Sequence, residues 1–112
     1  MSYKWPDKDK DETLDYNIDW SRFLGEDTIT SSNWYITDAN GVKQLATSSN
    51  TPINGLNVLF GVGATSVSSN GKVTTARLSA GTNNVRYKIS NQIGTASGLT
   101  YERSVFLRVK DK

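Results

Sequence analysis

The side chains able to do chemistry in this sequence are few, and the first of them are carboxylates. Asp7, Asp9, Asp11 and Glu12 alternate with Lys8 and Lys10, and Asp15 and Asp19 follow closely. Such spacing suggests a hard cation such as Ca²⁺, which binds through oxygen ligands. An EF-hand loop starting at Asp7 needs glycine at its sixth position and glutamate at its twelfth; here those positions hold Glu12 and Ile18, so the motif fails. A looser site using these carboxylates and Asp15 stays open beside the plainer reading of a solubilising run. Asp15 and Asp19 also invite an acid–base reading. Four residues along a strand, however, separates them by roughly 13 Å, whereas paired glycosidase carboxylates stand about 5–9.5 Å apart. Gly61-Val62-Gly63 lacks the third glycine and the helix of a dinucleotide site, and marks a bend between strands instead. Tyr3, Tyr35 and Phe106 could stack on sugars, which leaves a carbohydrate-binding module as an alternative, although their scatter fits core or rim packing better.

The missing residue types narrow the choice further. With no Cys there is no disulfide framework, thiolate nucleophile or Cys-based zinc site, and with no His the side chain best suited to proton transfer near neutral pH is gone. The expectation is a non-enzyme with no cofactor and no metal. The net charge of +2 is unevenly divided: residues 1–27 carry eight acidic and four basic groups, and residues 28–112 carry three and nine, so −4 and +6 sum to +2. Either this is an ordinary solvated surface, or the acidic start docks on a basic surface of its own domain or of a neighbouring subunit. No Lys/Arg-rich run points to nucleic acid. No apolar run approaches the ~18 residues of a membrane span, and the N-terminus has no apolar signal core. The expected chain is therefore soluble, without nucleic-acid or membrane partners, and starts at or near Met1.

The elements that would carry these residues read as strands. At 112 residues there is room for one domain. Residues 1–12 form an extended acidic and aromatic arm, because Pro6 discourages helix at Trp5 and the Asp/Lys alternation has no apolar face. Tyr3 and Trp5 would tether that arm to the domain or anchor a partner. Residues 13–112 form the domain. Leu14, Tyr16, Ile18 and Trp20 alternate with Asp15, Asn17 and Asp19, a half-buried strand. Ser21–Leu24 is one helical turn, capped by Ser21 and stopped by Gly25. Asp27–Ile36 is a strand with a bulge near Ser31–Asn33 and Trp34 in the core. Asn40-Gly41 turns into a short strand at Val42–Leu45, Ala46–Gly55 is loop, and Leu56–Phe60 and Val62–Val67 follow. Asn70-Gly71 is the strongest hairpin signal. It leads into Lys72–Leu78, with Thr74, Ala76 and Leu78 inward. Val85, Tyr87, Ile89, Asn91 and Ile93 continue the pattern, Gly94–Gly98 is a hairpin loop, and the last strand puts Tyr101, Arg103, Val105, Leu107 and Val109 on one face. Seven or so short strands punctuated by turns predict an all-β, immunoglobulin-like antiparallel β-sandwich with an N-terminal arm. The run from Leu78 through Gly81 to Tyr87 resembles the corner of fibronectin-type sandwiches.

Two blocks carry a more specific resemblance. Lys10-Asp-Glu-Thr-Leu-Asp-Tyr-Asn-Ile-Asp-Trp-Ser-Arg-Phe-Leu-Gly25, followed by Asp27-Thr-Ile29 and Trp34, is similar to a family of small virion proteins of tailed bacteriophages, the fibre–tail adaptors. Leu78-Ser-Ala-Gly-Thr82, Tyr87, Ile93-Gly-Thr-Ala-Ser-Gly98 and Glu102-Arg-Ser-Val-Phe-Leu-Arg-Val109 match the family's C-terminal pattern. Residues 38–70 look longer and less regular than the family, and Asn83-Asn84 replaces a glycine-rich step. The resemblance implies a structural protein made in the host cytoplasm and built into the virion. It would sit at the tail or tail-fibre junction, in multiple copies of a symmetric assembly, against other tail, adaptor or fibre subunits. A capsid decoration protein is the alternative within that class. The candidate partner-contact residues are Tyr3, Trp5 and Asp7 on the arm, with Asn50, Asn83 and Asn84 in loops.

Overall fold

The computed structural model describes residues 3–5, 7–9, 11–38, 40–46, 52–59, 65–68 and 70–110. Among these residues it has nine strands and one helical turn: β1 (Tyr3–Lys4), β2 (Leu14–Asp19), α1 (Ser21–Leu24), β3 (Ile29–Thr37), β4 (Lys43–Leu45), β5 (Leu56–Leu59), β6 (Thr65–Val67), β7 (Val73–Ala80), β8 (Arg86–Thr95) and β9 (Thr100–Arg108). The excess over seven comes from strands of two or three residues, too short to show a period.

One sheet runs β1-β9-β8-β3-β4, antiparallel except for β1, which lies parallel to β9. The other runs β2-β7-β5, with β6 also pairing β7. This is the immunoglobulin arrangement: β2, β7 and β5 stand as strands B, E and D, and β3, β8 and β9 as C, F and G. The fold class read from the sequence therefore holds. Tyr87, at the start of β8, completes the resemblance to a tyrosine corner: its hydroxyl accepts from the Thr82 amide at 2.8 Å and donates to the Asn54 carbonyl at 2.7 Å.

The strands alternate as their sequences require. Tyr16, Ile18 and Trp20 face inward, as do Ala76, Leu78, Trp34, Ile36, Ile89 and Leu107, and all are buried. Ile89 lies two residues after Tyr87, where antibody domains place a disulfide cysteine. A polar knot beside it joins the sheets here. Trp20 Nε1 donates to Asn91 Oδ1 and Thr74 Oγ1, both at 3.2 Å, and the Thr74 hydroxyl donates to Asn91 Oδ1 at 2.7 Å. Asn91 Nδ2 donates to Ser32 Oγ and to the Asn33 carbonyl. Every member is answered, so the network adds specificity without a desolvation penalty left over.

Local details differ from the sequence reading in two places. The bulge in β3 falls between Ile29 and Ser31, slightly before the expected site. At α1 the N-cap residue is Trp20 rather than Ser21, and its side chain makes no capping bond; the Asp19 carboxylate instead accepts from the Ser21 amide at 2.9 Å, because Asp19 is placed two residues ahead of the free amide. Gly25 does stop the turn, at φ 60. Gly71 closes the β6–β7 hairpin at φ 70, with room for no side chain: an added Cβ would lie 2.9 Å from Thr28 Cβ.

Tyr3–Trp5 and Lys8 lie along β9 and its C-terminal end. The Trp5 amide donates to the Phe106 carbonyl and the Lys8 amide to the Arg108 carbonyl, each at 2.9 Å. Lys8, in a run whose sequence reads as solvated, is fully buried; its ammonium donates to the carbonyls of Asp9 at 2.8 Å and Ala80 at 2.7 Å. A buried lysine is tolerated where its donors are met and its stem lies in apolar surroundings.

Candidate protein-binding interface

On one side of the sandwich both sheets end in an incompletely covered edge. Among the described residues β2 is the last strand of its sheet and pairs with β7 alone, while β1 covers β9 at Val105 and Phe106 and Lys8 bridges to Val109. Between these edges lies a cleft of about 110 Å³ lined by Trp5, Asn17, Ile18, Asp19, Arg103 and Val105. Side chains blunt the exposed edge of β2, which protects a sheet from indiscriminate strand pairing. Trp5 Nε1 donates to the Asn17 carbonyl at 3.3 Å, and Arg103 Nη1 reaches the Asp19 carbonyl at 3.4 Å.

Arg103 organises the upper part of this cleft. Its position in β9 has inward parity, yet it stands at the margin of the sheets, so the long side chain lies flat on an aromatic platform. The guanidinium carbon is 4.8 Å from the Trp20 ring centre and 5.9 Å from that of Phe23, distances at which a cation is attracted to the ring face. Phe23 projects from α1 with 52% of its surface exposed, and meets Tyr101 edge-on at 4.4 Å. Beside them the Asp19 carboxyl is held below its usual range, first by hydrogen bonding to the Ser21 hydroxyl, then by the Ser21 amide, with the Arg103 charge adding to both. An exposed ring next to a planar cation suits an aromatic or proline-bearing surface of a partner protein. The Asp19 carboxylate serves as a helix cap.

The residues singled out from the sequence are dispersed in the fold. Trp5 reaches the cleft wall, but its ring is 9% exposed, stacked on Tyr16 at 4.7 Å and 6.1 Å from Trp34; the ring is a core element. Asp7 is half-buried. Burial pushes the Tyr16 hydroxyl up to about 12, with the charges of Glu12 and Asp7 contributing. Tyr3 contributes backbone to β1 opposite Val105, and its side chain lies outside the described residues, as does Asn50. Asn83 and Asn84 are exposed in the β7–β8 turn, with Asn84 at φ 66. That turn follows the end of β7 remote from Val73, which pairs Asp19, so it does not meet the cleft.

Asp15 stands directly opposite Arg77 and binds it through two hydrogen bonds, at 2.7 and 3.2 Å. Of the aromatics considered for sugar stacking, Tyr35 and Phe106 carry cations on their faces: Lys43 lies over Tyr35 at 4.7 Å and Arg86 over Phe106 at 4.1 Å. Among the described residues no group of three acidic side chains converges to hold a metal ion. Sequence reasoning missed Arg103 and Phe23 as site residues. For Arg103 a signal existed, since a charged residue at inward parity is a conflict to resolve; for Phe23 a four-residue turn is too short to show a face.

A family model described as podophage GP4 fiber-tail adaptor protein gp77 matches residues 8–108 of the chain. No curated protein matches it. The matched span includes β2, α1 and β9, and with them Asp19, Trp20, Phe23, Tyr101 and Arg103.

Proposed function

Because the chain belongs to this family of podophage fibre–tail adaptors, we propose that it is a non-enzymatic structural subunit at the junction between tail and fibre, repeated around a symmetric assembly. The observation that carries the reading is the family match over residues 8–108. The sandwich is consistent with it: a rigid two-sheet body with a blunted edge, an exposed ring at one end and exposed asparagines at the other suits contact with neighbouring subunits. In this reading residues 1–12 are a strap lying on the domain of residues 13–112, and Asp7, Asn83 and Asn84 join Phe23 and Arg103 as contact residues. Trp5 acts indirectly, by holding the strap in place.

Quantitative mass spectrometry of purified particles of the parent phage tests this. The expected result is a small, fixed number of copies relative to the major capsid protein. Near-equal abundance would make the chain a decoration protein instead, and absence from the particle would remove the adaptor reading altogether.

A further inference from the structure

The outer face of the five-stranded sheet holds a group of cations that no acidic side chain among the described residues answers. In the β8–β9 pairing Arg86 stands directly opposite Arg108, and Lys88 opposite Phe106. All three cations are exposed, and none makes an ion pair with a described residue. Like charges placed directly across a strand pair destabilise it. Lys43, also on this side, behaves differently: it lies over Tyr35 and pairs with Glu102 at 2.8 Å. Arg86 also rests on the Phe106 ring at 4.1 Å, so the cluster has an apolar floor as well as charge.

We propose that the Arg86–Lys88–Arg108 face of the sheet is a docking surface for an acidic patch on a neighbouring virion protein. This rests on the adaptor reading and deepens it: an adaptor must hold two partners, and this face is distinct from the cleft and the Phe23 ring on β2, α1 and the margin of β9. Two guanidiniums side by side present paired donors that match carboxylates bidentately. The small size of the cluster, floored by a ring, favours an acidic protein surface over a nucleic-acid backbone, whose binders track phosphates with longer basic stripes.

The chain has no cysteine, so single cysteines can carry a photocrosslinker. Particles are assembled with chain bearing a benzophenone at Thr37→Cys, beside Lys88 on this face, or at Phe23→Cys. The expected result is a crosslink from each position to a virion protein, with the Thr37 crosslink lost when Arg108→Glu is added. Arg108→Glu places an opposite charge across from Arg86, so the isolated chain should melt at or above the wild-type temperature while incorporation into particles falls at least about tenfold. A loss of incorporation accompanied by a lower melting temperature would overturn the docking role, as would wild-type incorporation. A Thr37 crosslink to nucleic acid overturns the choice of partner. A crosslink from Phe23 alone removes this face but keeps the adaptor reading, whereas no crosslink from either position in particles removes both.

Discussion

Two polar clusters in this molecule differ in how completely the fold answers them. Inside, Trp20, Thr74 and Asn91 tie one sheet to the other, and each donor and acceptor among them finds a partner. Outside, Arg86 and Arg108 face each other across β8 and β9 without a counter-ion among the described residues. The contrast extends to the other sheet, where the same kind of cross-strand position pairs Arg77 with Asp15. A buried polar group has to be satisfied within the chain, or folding bears the full cost of its desolvation. An exposed charge has water as an alternative, so it can be left for a partner. The first cluster therefore reports on the fold, and the second on what the fold meets.

The largest effect is expected from breaking the inner cluster. Asn91→Ala removes the acceptor shared by Trp20 and Thr74 and the donor to Ser32 and Asn33, and leaves a small cavity. The expected loss is about 2–4 kcal/mol, read as a lower denaturant midpoint. An unchanged midpoint would show that the knot contributes nothing to the joining of the sheets. Next is Lys8→Ala, which deletes a fully buried stem and its bonds to the Asp9 and Ala80 carbonyls. The expected cost is about 1–3 kcal/mol, and protection of the Trp5 and Lys8 amides from hydrogen exchange should fall with it. If that protection persisted, the strap would be held by its backbone bonds to β9 alone.

The outer clusters should respond weakly. Arg108→Glu replaces a repulsive cross-strand pair by an attractive one, and is expected to stabilise the isolated chain by about 0.2–1 kcal/mol, a gain that shrinks as salt is raised. Arg77→Ala removes an exposed pair and should lower stability only slightly, far less than Asn91→Ala or Lys8→Ala. If the two substitutions shifted stability in the same direction, the contrast between the two cross-strand positions would not stand.

These clusters also show which parts of the structure the sequence makes legible. Tyr16, Ile18 and Trp20 and the inward series Thr74, Ala76 and Leu78 follow from a period of two that is visible locally, and Asn70-Gly71 states its hairpin in two residues. Asn91 lies in an inward series, so its burial is legible although its partners are not. Lys8 is illegible, because its burial depends on a carbonyl 72 residues away. β1 is equally hidden: two residues show no period, and its strand character comes from parallel pairing with β9. Arg103 and Phe23 form a site only when α1 and the margin of β9 meet, a contact between segments about 80 residues apart in the sequence.

At neutral pH the smallest effect is that of Tyr16, which carries a third way for a polar group to stand in the fold. Its hydroxyl is buried without a hydrogen-bond partner among the described residues, unlike that of Tyr87. Burial, with the charges of Glu12 and Asp7, pushes it up to about 12 from the ordinary value of 10.0. The folded chain thus holds this proton between pH 10 and about 12, while the unfolded chain has already released it. Stability must then fall as pH rises through that window, because the unfolded state binds fewer protons there. Tyr16→Phe lacks this contribution, and at neutral pH it should match or slightly exceed the wild type, since no bond is lost. Urea midpoints of both chains at pH 9, 10, 11 and 12 isolate the effect, because every other titrating group is shared. The midpoints should diverge above pH 10, with the wild type falling faster; parallel curves would mean that the Tyr16 hydroxyl is solvated in the folded chain.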